Sequence, residues 1–254
     1  MNGRAPISGV VTTFNNAATL DACLASLAFC DERVVLDSGS TDATLDIARR
    51  HGARIAEHPF DDYGPQKQRA IDMASHDWIL LLDADEHLTD AGRDAIERAL
   101  RAPRADGYRL PRQEWLFWKW AHPHTRANWQ LRLFRKSRGR MNDVPVHAAP
   151  VVDGVRRDLR APFRHYGEPR LADRIDKVNR YSSGLVVHKH RRGVHGLGGR
   201  ILFQPTIAFF KLYVGKRYFL DGWAGFIAAR TQAFYTFLKY AKVLEAQRSD
   251  DQSA

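Results

Sequence analysis

Trp78-Ile79-Leu80-Leu81-Leu82-Asp83-Ala84-Asp85-Glu86 is the stretch on which the fold turns. Its five apolar residues make a run of strand length, apolar on both faces, as expected of a strand inside a parallel sheet. The run passes straight into two carboxylates spaced two residues apart. The segments before it alternate between strand and helix. Residues 7–14 are β-rich, 19–29 carry apolar residues at helical spacing (Leu20, Cys23, Leu24, Leu27), and 33–36 form a second buried strand ending at Asp37. Ser40-Thr41-Asp42 reads as a helix start leading into Leu45, Ile47 and Ala48. A third strand over 53–56 and a helix over 65–74 complete the series. Repeated strand–helix–strand units predict an α/β fold with a mainly parallel sheet flanked by helices. Such sheets bind ligands outside the carboxyl ends of their strands, where Asp37, Asp83 and Asp85 all fall.

Beyond residue 100 the pattern changes. Residues 108–110 and 130–134 look like strands, separated by a loop that holds Trp115, Trp118, Trp120 and Trp129. Residues 171–192 are helical and basic, and residues 200–242 hold seven Lys and Arg, one acid (Asp221) and twelve aromatics. Charge follows the same division. Residues 1–100 carry nine basic against seventeen acidic side chains, a net of −8, whereas 101–254 carry +18 of the overall +10. A basic second part implies an anionic partner such as phosphate, nucleic acid or a membrane surface. With 254 residues, 44% hydrophobic and 27% charged, the chain is too apolar for a disordered polymer and long enough for one or two cores.

Cys23 and Cys30 on one predicted helix would lie about 10 Å apart, beyond the roughly 7 Å reach of a disulfide, so both read as small buried residues of a reducing compartment. No signal-peptide pattern opens the sequence, and the apolar stretch 201–210 is broken by Gln204 and Pro205. The expectation is a cytoplasmic chain that rests on a membrane without crossing it.

A strand end that presents Asp83 and Asp85 can hold a divalent cation, which in turn neutralises a diphosphate, although a D-x-D also arises at ordinary turns. In Asp37-Ser38-Gly39-Ser40-Thr41-Asp42, Gly39 suits a tight bend and Ser40, Thr41 or Asp42 a helix cap, while Asp37 stands at the ligand rim, able to accept from a base N–H or a ribose hydroxyl.

Four segments taken in order resemble the family-2 glycosyltransferases of GT-A fold. They are Val11-Thr12-Thr13-Phe14-Asn15, Val35 to Thr44, Gly64-Pro65-Gln66-Lys67-Gln68-Arg69-Ala70, and Leu81-Leu82-Asp83-Ala84-Asp85-Glu86. Later pieces are similar to one branch, the bacterial lipopolysaccharide-core glycosyltransferases: Gln130 to Arg135, Val146-His147, Lys177 to Ser182, and Phe219-Leu220-Asp221-Gly222-Trp223-Ala224-Gly225-Phe226. The resemblance implies a Rossmann-like GT-A domain over 1–165 and a basic, aromatic, amphipathic helical extension over 166–254. It implies that Thr13, Phe14, Asn15 and Asp37 hold the base of a nucleotide-sugar, with Asp83 and Ala84 at the ribose or metal. Asp85, with Asp83 and His147, would hold Mg²⁺ or Mn²⁺. Lys67 and Arg69 either reach a phosphate or form a solvated helix face.

An inverting transferase also needs a base for the acceptor hydroxyl. Family members carry a Glu after Val-His and an Asp before Gln-Leu-Arg-Leu-Phe; this chain has Ala148 and Asn128 there. Asp143 is the first substitute and Glu114 the second, each with a surface ion pair as the plainer reading. His147 reads equally as a metal ligand or a hydrogen-bonded structural residue.

The four Trp serve either as core or as a platform for the apolar faces of an acceptor sugar. The aromatic and basic residues of 200–242 suit helices in an anionic headgroup layer, or a helix pair packed on the first domain. Together these features predict an inverting, metal-dependent transfer of a hexose, glucose from UDP-glucose being the leading case, to a lipopolysaccharide core or other lipid-linked glycan at the inner membrane. Transfer to polyprenyl phosphate is the near rival. A basic nucleic-acid-binding protein and a catalytically idle scaffold are the rivals of another class, and no nucleic-acid partner is expected.

Overall fold

A computed structural model describes residues 3–142, 148–191 and 196–253. The chain divides into two compact units, one of Met1–Gln113 with Asn128–Tyr166, the other of Glu114–Ala127 with Gly167–Ala254. Residues 114–127 cluster with the second unit.

The first unit opens with β1 (Ile7–Thr13), α1 (Leu20–Ser26), β2 (Glu32–Asp37), α2 (Thr44–Arg50), β3 (Arg54–Glu57), α3 (Tyr63–Met73) and β4 (Trp78–Asp83). It continues with β5 (Glu86–Leu88), α4 (Asp90–Arg101) and β6 (Gly107–Leu116), and the short β7 (Lys119–Trp120) belongs to the second unit. Then come β8 (Asn128–Arg135), β9 (Gly139–Met141), β10 (Pro150–Val152), β11 (Arg156–Asp158) and β12 (Phe163–His165). The main sheet runs β3-β2-β1-β4-β8-β6-β12-β5. Its first four strands are parallel, as the alternation of strands and helices requires. Past β4 the sheet is mixed: β8 pairs antiparallel with β4 and with β6, while β11 runs parallel to β6.

Alternate residues of the parallel strands enter two cores. Val11, Val35, Leu80 and Leu82 pack on one face with Leu20, Leu24 and Ile96 from α1 and α4, while Val10, Val34, Ile79 and Leu81 pack on the other with Ala70 and Ile71 of α3. Cys23 and Cys30 are free and buried on the first face. Register sets Thr12 beside Asp83 and Thr13 beside Asp37, so the acids share one rim of the sheet. Glu32 ties the start of β2 to its neighbours: it accepts from Ser8 Oγ at 2.6 Å, Ser75 N at 2.8 Å and Ser75 Oγ at 2.9 Å, and pairs with Arg54 at 2.8 Å.

The tryptophan-rich segment is not a loop. β6 extends to Leu116 and pairs with β7, Trp115 facing Trp120, with Phe117 in the left-handed region (φ 59°) at the turn. Trp129 lies in β8.

In the second unit this hairpin is joined by α5 (Leu171–Arg191), α6 (Leu197–Phe210), a π turn at Lys211–Gly215 and α7 (Gly222–Ser253). The resembling Phe219 to Phe226 segment has a structural role here. Buried Asp221 accepts from His122 N and Thr125 Oγ1, both at 2.7 Å, and so holds the end of the hairpin. Gly222 takes φ 60°, Ala224 is buried against Leu116 and Ala121, and a Cβ on Gly225 would lie 1.8 Å from the Tyr218 carbonyl oxygen. The Lys177 to Ser182 segment is a helix–helix joint: Lys242 Nζ of α7 donates to the Asn179 carbonyl at 2.9 Å and to Asn179 Oδ1 at 2.6 Å.

Candidate active site

The site lies at the carboxyl end of β4. Asp83 ends the strand, Ala84-Asp85 turn the chain, and Glu86 starts β5. Because β5 pairs antiparallel with β12, Glu86 sits opposite His165 and the Asp85 carbonyl accepts from Tyr166 N at 3.0 Å. This pairing brings His165 Nε2 to 3.2 Å from Asp85 Oδ2. Residues about eighty positions apart thus meet through three-residue strands.

Three cations enter from other elements, one of them Arg112 of β6, whose Nη1 lies 3.9 Å from Glu86 Oε1. Lys67, on α3, forms an ion pair with Asp83 Oδ1. Arg132, on β8, is 5% exposed and stands between two acids, its Nη2 3.2 Å from Asp83 Oδ2 and 2.5 Å from Glu86 Oε1. Its guanidinium lies over the Phe163 ring at 5.3 Å. Burial works against the charge on Asp83, and Lys67 and Arg132 outweigh it, holding that carboxyl well below the usual range. For Glu86 burial prevails over Arg132 and the pKa rises, with Asp83 and Asp85 adding to the rise. Glu86 Oε2 also accepts from Asp83 N at 3.1 Å, so this buried acid shapes the turn that presents Asp83 and Asp85.

The neighbouring loops are cross-linked. Asp37 is fully buried, and its carboxylate accepts from Gly39 N at 2.8 Å, Ser40 N at 2.7 Å and Ser40 Oγ at 2.5 Å. It builds the loop at the rim. Asn15, at φ 51°, receives Thr41 N on its Oδ1 at 2.8 Å and donates its own N–H to Ser40 Oγ at 2.8 Å. Thr13 is buried with its hydroxyl on Asn16 Oδ1, whereas Phe14 is 56% exposed above this loop pair. Gln66 of α3 donates to Ser38 Oγ at 3.0 Å, so the helix that carries Lys67 also fixes the Asp37 loop.

Several expected residues have other surroundings. Arg69 pairs with Asp61 at 2.7 Å on the surface of α3. Ala84 is buried in the core, leaving only its backbone for a ligand. Glu114 belongs to the second unit, where its charge acts on Arg174. Asp143 and His147 lie outside the described residues. Ala148 packs against the second core and Asn128 pairs with Arg112 across the sheet, so neither offers an acid. Of the tryptophans, Trp115 and Trp120 stack edge to face at 4.9 Å, while Trp118 and Trp129 are exposed.

Sequence reasoning passed over Arg132, Glu86 and His165. Arg132 had a signal, a cation inside the apolar run Leu131 to Phe134, which burial obliges to find carboxylates. His165 had none, because its role depends on the β5–β12 pairing.

Among the described residues no group of three or more His, Cys, Asp or Glu is positioned around a common metal point. Asp85 and His165 nevertheless suit two adjacent positions on a divalent ion. Donors at right angles around an octahedral ion with bonds of about 2.1 Å are separated by about 3 Å, close to their spacing, and such ions take their remaining ligands from water and substrate phosphate.

Acids and cations thus gather at the carboxyl end of a parallel strand, the rim where open α/β sheets bind ligands. The chain belongs to glycosyl transferase family 2, whose model matches residues 8–158. It is 31% identical over 249 residues to the lipopolysaccharide core biosynthesis glycosyltransferase LpsC of Rhizobium meliloti, covering 94% of this chain and 92% of that one. An uncharacterized glycosyltransferase of Rickettsia felis is 28% identical over 94% of this chain and 90% of its own. Glucosyl-3-phosphoglycerate synthase from Mycobacterium tuberculosis, solved with Mn²⁺, UDP and phosphoglyceric acid, aligns over 43% of each chain at 24% identity with a TM-score of 0.37, too loose a likeness to argue from.

Proposed function

We propose that this glycosyltransferase inverts configuration while moving a hexose, glucose from UDP-glucose in the leading case, to a lipopolysaccharide core or similar lipid-linked glycan. The observation that carries the reading is the juxtaposition of Asp85 and His165 beside the Lys67–Asp83–Arg132 group. The name of the Rhizobium meliloti relative supports the acceptor class.

In this reading Asp85 and His165 would hold Mg²⁺ or Mn²⁺, which would supply positive charge for the diphosphate leaving group. Arg132 and Glu86 keep the turn rigid so that the carboxylates need no reorganisation when substrate arrives. Lys67 exchanges its pairing with Asp83 for a phosphate oxygen of the donor, which frees Asp83 for the ribose or the cation. Thr13, Phe14 and Asn15, locked to the Asp37 loop, border the base. Exposed Trp129 offers a sugar-stacking face. Asp143 remains the proposed base and Glu114 its substitute.

The test incubates purified protein with UDP-[14C]glucose and either a core-oligosaccharide lipid or polyprenyl phosphate, with Mn²⁺ or with EDTA. Transfer to the core lipid that needs the metal and disappears in Asp85→Ala is expected. Transfer to polyprenyl phosphate alone moves the acceptor to the rival class, and nucleotide binding without turnover on any acceptor contradicts the enzymatic reading.

A further inference from the structure

Helix α6 is apolar on both faces. Its inner face, with Leu197 and Ile201, meets Tyr240, Val243 and Leu244 of α7, and Phe209 meets Phe226 at 5.7 Å. The opposite face should be polar if water covers it. It is instead Leu202, Phe203, Ile207 and Phe210, followed by Val214 in the π turn, each between 55% and 70% exposed. These positions recur every three to four residues and so form one stripe. Trp223, at the start of α7, is 75% exposed, and Phe219 before it is 46% exposed. Single exposed apolar residues need no explanation, but a continuous row of large ones marks a surface that another body covers.

Charge identifies that body. Between Gly196 and Leu220 there is no acidic residue, and the next acid, Asp221, is buried within the fold. Lys211 and Arg217 stand exposed where the stripe ends. Among the described residues no helix is long and apolar enough to cross a bilayer. An apolar stripe of about four helical turns with cations at its carboxyl-terminal end and no anions fits a helix lying in the plane of an anionic lipid interface, its large side chains among the acyl chains and its cations at the phosphates.

We infer that the face made by Leu202, Phe203, Ile207, Phe210 and Val214 inserts into an anionic membrane surface. The inference uses the second unit alone and is independent of the reaction proposed above.

The test sediments the full chain with vesicles of phosphatidylcholine alone or mixed with phosphatidylglycerol, at about 0.15 M salt. The wild type is expected in the pellet with the mixed vesicles and largely in the supernatant with neutral ones. The triple variant Phe203→Asp, Ile207→Asp, Phe210→Asp should bind at least about ten-fold more weakly with an unchanged unfolding temperature, since all three side chains are exposed in the folded chain. Lys211→Gln with Arg217→Gln should weaken binding to the mixed vesicles and reduce its sensitivity to salt. Wild-type protein that ignores anionic vesicles, or a triple variant that binds as tightly as wild type, overturns the inference. So does a wild-type dimer in solution that the triple variant splits, which would assign the stripe to a second copy of the chain.

Discussion

Arg132 neutralises the most deeply buried acid of the site, and the two acids it bridges differ in what they need from it. Glu86 is held toward its neutral form by burial, whereas Asp83 keeps its charge through Lys67 and Arg132 together. Arg132→Met leaves buried Glu86 with only the longer contact to Arg112 at 3.9 Å and should cost about 3–5 kcal/mol in urea unfolding. Glu86→Gln, which keeps an acceptor for Asp83 N and removes a charge that burial disfavours, should cost less than half as much in the same measurement. Equal losses would mean that the charge of Glu86 matters more than its hydrogen bonds. At this scale the sequence was legible where a side-chain type contradicts its setting: carboxylates at the end of an apolar strand, or an arginine within one. Asp37 shows the limit. Its place at the rim could be read from the strand, but the three donors that bury its carboxylate come from a loop whose path only the folded chain displays.

At the scale of elements, the β-α-β alternation was readable from periodicity, as were the strands near 108–110 and 130–134 and the helix from 171, whereas the short strands between them were not. Short strands such as β5 and β12 have three residues each, too few for any period, and they form because they pair with each other. The tryptophans misled for a related reason, since bulky aromatics with a left-handed residue between them read as irregular while they form a hairpin. Glu32 offers a pH test of the parallel strands. Its contacts to Ser8 and Ser75, with Arg54, outweigh burial and lower its pKa from 4.5 to about 2. A carboxyl lowered on folding stabilises the fold above its unfolded pKa and loses that stabilisation as pH falls through the folded one. The wild type should therefore lose roughly 3 kcal/mol from this group between pH 5 and pH 2, a slope missing in Glu32→Gln by chemical denaturation. In the second unit Gly225→Ala drives a methyl into the Tyr218 carbonyl and should lower the unfolding temperature by several degrees, whereas Trp223→Ala in the same segment should leave it nearly unchanged.

Across the whole molecule, the charge division seen in the sequence resolves into two chemistries. The acidic first part concentrates Asp83, Asp85 and Glu86 at one strand end and balances them with Lys67 and Arg132, leaving Asp85 and His165 for a cation. Much of the positive charge of the second part lies outside the site, and there an acid-free segment surrounds an apolar stripe. Composition alone predicted an anionic partner. The sequence already placed the anionic headgroup layer at 200–242, and packing added which side chains of α6 are exposed to meet it. The central claim is that a divalent cation at Asp85 and His165 joins the protein to a nucleotide diphosphate. Calorimetric titration of UDP into wild type, Asp85→Ala and His165→Ala, each with Mn²⁺ and with EDTA, tests it most directly. The account predicts that Mn²⁺ tightens UDP binding to the wild type by about ten-fold or more and that this gain vanishes in Asp85→Ala and shrinks in His165→Ala. UDP binding as tight in EDTA as in Mn²⁺, or the full gain retained by Asp85→Ala, would contradict it.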